Sequence, residues 1–163
     1  TNYVTYNYEE NLWSVGTLDR GAWNGGTTRQ FPLATTVNGS GSNYLYEHEV
    51  GFDADGEAMT AFIESGDLEL AEGEFFMFMS RIIPDFTFNG DQSSAATNIV
   101  IKGSDFPLET ASTLSTSTIT PSSTQSFVRN RARHSIVRVE SSGSGYGWRL
   151  GDLRFDMRPD GRR

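Results

Sequence analysis

The 163-residue sequence predicts an all-β protein, an antiparallel β-sandwich of about seven to eight strands. Three observations carry this expectation. Short β-branched or aromatic runs recur between turn residues. Glycine numbers 17, and Ser and Thr are abundant. Long stretches rich in Ala, Leu, Glu and Lys, which would sustain helices, are missing.

Tyr3-Val4-Thr5-Tyr6-Asn7-Tyr8, the polar Glu9-Glu10-Asn11 and Leu12-Trp13-Ser14-Val15 form a hairpin, with Trp13 anchoring the returning strand. Two such strands are marginal alone, so they call for further strands to pack on. A Gly/Thr/Asn-rich connection from Gly21 to Ser42 holds one short strand, Phe31 to Thr35. Asn43 to Val50 is expected to pair with Ala58 to Glu64 around Asp53-Ala54-Asp55-Gly56, since Asp-Gly adopts positive φ cheaply. Ser65-Gly66-Asp67 reads as a bulge or bend before Leu68 to Leu70. Between Glu74 and Phe88 apolar side chains fall on both faces, the mark of a central strand, and Pro84 should break it. Phe86 and Phe88 alternate up to the Asn89-Gly90 turn, and Asn98 to Lys102 is a further strand.

Glu109 to Thr124 is a Ser/Thr tract, with an edge strand expected at Thr118 to Thr120 and loop elsewhere. Ser126 to Ser141 reads as one long strand with Arg129, Arg131 and Arg133 in period two; Val137 and Val139 share their parity, so a bulge or kink belongs near Arg133–Ser135. In the last strand, Gly147 to Arg158, Trp148 and Leu150 have one parity and Leu153, Phe155 and Met157 the other. One extra residue at Gly151-Asp152 would bring both sets to one side and turn Arg154, Asp156 and Arg158 outward. The resulting domains are 1–42, an aromatic hairpin with its connection, and 43–163, the sandwich.

Composition narrows the chemistry. With no cysteine there is no disulfide, thiolate metal site or cysteine nucleophile, which suits assembly in a reducing cytoplasm. No apolar run approaches the ~20 residues of a membrane-spanning helix, so no membrane anchoring is expected from this chain. The first residue is Thr1 rather than Met, which raises the expectation of a preceding portion. Residues 1–128 carry 4 basic and 17 acidic side chains, a net of −13, and residues 129–163 carry 9 and 4, a net of +5. Ends so different suit different partners, and an acidic body opposes wrapping of nucleic acid. Of 13 basic residues only Lys102 is a lysine, and arginine's planar fork suits interfaces better.

No catalytic, cofactor-binding or metal-ligating constellation is expected. His48, in Glu47-His48-Glu49, turns away from both flanking carboxylates, and His134 sits in no catalytic signature. Asp53, Asp55, Glu57 and Glu64 resemble a calcium loop only superficially, because Ala58 stands where that loop needs glycine. Gly143-Ser144-Gly145-Tyr146-Gly147 lacks the following helix that a phosphate cradle needs. The charge split instead marks Arg129, Arg131, Arg133, Arg154, Arg158, Arg162 and Arg163 as candidates for an intersubunit interface.

Three stretches resemble the nozzle or tubular tail proteins of short-tailed bacteriophages. They are Tyr6-Asn7-Tyr8-Glu9-Glu10-Asn11-Leu12-Trp13-Ser14-Val15-Gly16-Thr17-Leu18, Met79-Ser80-Arg81-Ile82-Ile83-Pro84-Asp85-Phe86, and the terminus from Gly147-Trp148-Arg149-Leu150-Gly151 to Arg158-Pro159-Asp160-Gly161-Arg162-Arg163. The arginine-alternating strand sits where that family has a similar one. The resemblance implies a virion protein without enzymatic activity or cofactor, assembled in the host bacterial cytoplasm. Copies would form a ring, commonly a hexamer, touching adaptor and fibre proteins around a channel that phage DNA crosses without specific binding. It also implies that the Tyr6–Trp13 hairpin closes a β-propeller-like domain preceding this chain. The alternative is a carbohydrate- or receptor-binding sandwich of a phage tail, using Trp23, Tyr44, Tyr46 and Tyr146 as stacking surfaces.

Overall fold

The structure is a computed structural model and describes residues 2–25, 29–37 and 43–162. Among these residues there are fifteen β-strands and no helix, and the strands pair in antiparallel sheets. The chain divides into two compact units, 1–50 and 51–163. Residues 43–50 thus belong with the first unit, whereas the sequence grouped them with the sandwich.

In the first unit, β1 (Asn2–Asn7) and β2 (Leu12–Thr17) form the expected hairpin. The turn is fixed locally: Asn7 Oδ1 accepts the N–H groups of Glu9 and Glu10 at 3.1 and 3.3 Å, and Asn11 takes the left-handed φ of 54°. Tyr6 and Trp13 lie directly opposite and stack at 4.4 Å. A second sheet has the order β3 (Arg20–Asn24), β4 (Leu33–Thr36), β5 (Leu45–Glu47), around the fully buried Ala34. The sequence left β3 as connection. Its pairing spends one extra residue between Arg20 and Trp23, a bulge that Gly21 permits because a Cβ there would lie 2.9 Å from the Thr36 carbonyl oxygen.

The expected hairpin of 43–50 with 58–64 does not form. β5 pairs with β4, and β6 (Ala61–Glu64) pairs with a later strand, β13 (His134–Ser141). The Asp55-Gly56 turn is present, with φ of 60° and 82°, but closes only the Ala54–Glu57 bridge.

The second unit is a sandwich, with ten strands among its described residues rather than the seven to eight expected. One sheet runs β11 (Ser112–Ile119), β10 (Thr97–Ser104), β13, β6, and β7 (Leu68–Glu69) also pairs with β13. As expected, Ser65-Gly66-Asp67 is a bulge: three residues between Glu64 and Leu68 oppose two on β13. The other sheet runs β12 (Ser126–Ala132), β8 (Met77–Ile83), β15 (Arg154–Pro159), which makes β8 the central strand predicted for the apolar run. Between the sheets lie Met79, Ile82 and Val128 from one side and Ile99, Ile101, Ile119, Val137 and Val139 from the other. Ile82, Ile99 and Ile101 are wholly buried, and each such side chain contributes about 1.5–3 kcal/mol.

Beyond Pro84, β9 (Phe86–Gly90) pairs with β14 (Tyr146–Leu150). Between the pairs Leu150–Phe86 and Arg154–Ile83, residues 151–153 oppose only Pro84 and Asp85. That is the extra residue expected at Gly151-Asp152, and it lets Trp148, Leu150, Leu153 and Phe155 all pack on the core. The expected single strand is instead β14 and β15 in different sheets, and Met157, expected on the core side, is exposed beyond a register shift at Asp156/Met157.

Two further expectations are corrected. Ser126 to Ser141 is two strands in opposite sheets. Val128, Asn130 and Ala132 are buried in β12, then Ser135, Val137 and Val139 in β13, because the chain crosses the core at Arg133. A parity change serves a sheet change as well as a bulge. The Ser/Thr tract is strand from Ser112, not from Thr118: it pairs along β10 as an edge strand and needs only Ser117 and Ile119 buried.

Candidate functional site

Hairpin β1–β2 sorts its side chains by face. Opposed residues of an antiparallel pair share a face, so the pairs Val4–Val15 and Tyr6–Trp13 build one apolar surface. Exposures of 65% and 79% for the first pair, and 44% and 69% for the second, show that no described residue covers it. Among the described residues β1 and β2 pair only with each other, leaving both strand edges open as well.

The candidate interface arginines fall into two groups. Arg131, Arg133 and Arg162 bind their own chain. Arg131 Nε donates to Asp160 Oδ2 at 2.7 Å, and its guanidinium lies 3.6 Å over the Phe76 ring. Arg133 donates through Nη1 to the carbonyl oxygens of Gly73 (2.9 Å) and Glu74 (2.8 Å), and through Nη2 to that of Arg162 (2.6 Å). Arg162 reaches Glu74 Oε2 at 3.3 Å and lies over Phe75. With the backbone bonds Phe76 N to Gly161 O and Asp160 N to Phe76 O, they lash the C-terminal segment to residues 73–76.

Arg129, Arg154 and Arg158 form the second group. They are exposed on the outer face of the β12-β8-β15 sheet; Arg158 lies 5.0 Å from the Phe78 ring, and Phe127 on the same face is 73% exposed. Arg163 lies outside the described residues.

The opposite sheet carries a charge network on its outer face. Glu64 Oε2 takes Lys102 Nζ at 2.6 Å and Arg138 Nη1 at 3.3 Å, while Arg138 Nε reaches Glu140 at 2.6 Å. The hydrogen bond from Lys102, helped by Arg138, holds the Glu64 pKa below its ordinary value.

The histidines occupy separate settings. His134 Nδ1 is 3.1 Å from Glu69 Oε2. His48 accepts a hydrogen bond from Arg20 Nε at 3.2 Å and lies against Trp23 at 4.6 Å. Burial first, and the Arg20 charge second, lower its pKa. Sequence reading did not bring Arg20, Trp23 and His48 together, because the first two lie on β3 and His48 follows β5, 28 residues after Arg20. The only hint was that Arg20 is one of two basic residues in an otherwise acidic first unit. No protein-family model matches this sequence, and no curated protein matches it either.

Proposed function

We propose that the chain is a non-catalytic assembly module of a virion, part of the nozzle or tube ring through which a short-tailed bacteriophage ejects its genome. The uncovered apolar face of hairpin β1–β2 carries the assembly reading. A face with Val4, Tyr6, Trp13 and Val15 all open to water is what an interaction surface has before its partner arrives. The phage-tail part rests on the resemblance of the three sequence stretches and on the acidic excess of residues 1–128, which suits a channel that must let DNA slide past.

In this reading the intersubunit contacts use the hairpin face and the exposed arginines Arg129, Arg154 and Arg158. Arg131, Arg133 and Arg162 keep the C-terminal segment in place. Sedimentation velocity and mass photometry of the protein test it. Ring-sized particles are expected, dissociating in the Trp13→Ser and Arg129→Glu variants. A protein that stays monomeric at every concentration, and is absent from purified phage particles, would end the proposal.

A further inference from the structure

The first unit holds a groove of about 580 Å³ whose walls include Asn2, Tyr3, Arg20, Trp23 and Glu49. Assembly gives it no task. Two of its rings are open to solvent, Trp23 at 54% and Tyr3 at 45%. Its cation is fixed in advance. The Arg20 guanidinium lies 3.8 Å over the Tyr46 ring, Nε donates to His48 Nε2, and Nη1 donates to the Asp19 carbonyl oxygen at 2.9 Å. His48 in turn lies against Trp23, so guanidinium, imidazole and indole brace one another. The lowered pKa of His48 keeps the imidazole neutral near pH 7, the form able to accept from Arg20. Glu49 stands at φ 64°, a left-handed conformation that a glutamate rarely adopts and that collects at ligand clamps.

An open aromatic face beside one fixed donor fork and one carboxylate acceptor matches a sugar ring. The apolar C–H face of the sugar stacks on the indole, and its hydroxyls both donate and accept. Phosphate or another strong anion fits poorly, because Glu49 stands in the same groove as the single arginine.

We propose that this groove binds a neutral, hydroxyl-rich saccharide ring, stacked on Trp23, with Tyr3 as a second apolar wall and Arg20 and Glu49 as its polar partners. The proposal stands independently of ring assembly. Saturation-transfer NMR and fluorescence titration of the protein with maltotriose and chitotriose test it, with trigalacturonate as the anionic comparison. Transfer to the ring C–H protons of at least one neutral trisaccharide is expected. Trp23→Ala should weaken that binding at least about tenfold, the scale of one lost stacking contact. Trp23→Phe, which keeps a ring against His48, should retain part of it. Phe127→Ser, in the other unit, should leave it unchanged.

Amide spectra of each variant separate lost binding from lost fold. Absence of transfer from both neutral sugars overturns the proposal. So does undiminished binding by a folded Trp23→Ala variant, or binding of trigalacturonate alone that added salt abolishes.

Discussion

Replacing Arg133 by alanine isolates what the arginine ladder does inside one molecule. The side chain reaches three carbonyl oxygens, those of Gly73, Glu74 and Arg162, at 2.6–2.9 Å, and also lies over the Phe76 ring. Hydrogen bonds involving a charged group are worth about 1.5–3 kcal/mol each. The Gly73 and Glu74 contacts share one nitrogen, and the surroundings are partly open, so the low end applies and the contacts do not simply add. A loss of about 3 kcal/mol follows. For a unit the size of residues 51–163 that is a fall in Tm of roughly 10 °C.

Differential scanning calorimetry of Arg133→Ala beside Arg129→Ala reads it directly. Arg129 lies two strand positions before Arg131 on the exposed face, and its truncation should stay within about 0.5 kcal/mol of the parent. Arg133→Lys should recover less than half of the loss, since one ammonium cannot span carbonyls that the planar fork reaches from two nitrogens. If Arg133→Ala and Arg129→Ala melt within about 2 °C of one another, the clamp contributes nothing and the ladder is not structural.

Thr97 is 1% exposed, and its hydroxyl has no hydrogen-bond partner among the described residues, so Thr97→Val should stabilise the sandwich by about 1 kcal/mol in urea unfolding. A Thr97→Val variant less stable than the parent would mean that the hydroxyl is satisfied in solution. Because the Glu64 pKa is lowered in the folded state, its contribution is present above its ordinary value of 4.5 and fades as pH falls through the lower folded value. Glu64→Gln should therefore cost stability at pH 7 and much less at pH 3, as chemical denaturation at the two pH values will show.

The sequence was informative where a parity change marked an inserted residue. Trp148 and Leu150 share the core with Leu153 and Phe155 because residues 151–153 oppose only two partners, although β14 and β15 pair in different sheets. The same reasoning at Arg133 had two solutions, a bulge within one sheet or a passage between two, and nothing local chooses between them. Asp55-Gly56 specified a turn correctly but not the strands it would join, since β5 and β6 find better partners in β4 and β13. Ser112 to Thr116 looked like loop for want of bulk, yet an edge strand asks little bulk of its outer face. The partners of Arg133 were illegible for a different reason: they are backbone carbonyls, which every residue possesses.

The preference for arginine over lysine acquires a cause at the level of single rings. Arg20, Arg131, Arg133, Arg138, Arg158 and Arg162 each lie within 5.0 Å of the centre of a Tyr or Phe ring. Phe75, Phe76, Phe78 and Phe62 all stand outside the packed core between the sheets. A guanidinium can cover such a ring with its flat face and still direct hydrogen bonds sideways, as Arg131 does to Asp160 and Arg138 to Glu140. An ammonium is compact and strongly hydrated and does neither well. In this molecule, then, arginine acts as a polar lid over aromatic surface that the core leaves out. Other aromatic surface carries no such lid, including Phe127, Phe106, Trp23 and the Tyr6–Trp13 face of the hairpin. In the proposed assembly, the rings of the hairpin face are the ones a neighbouring molecule would cover.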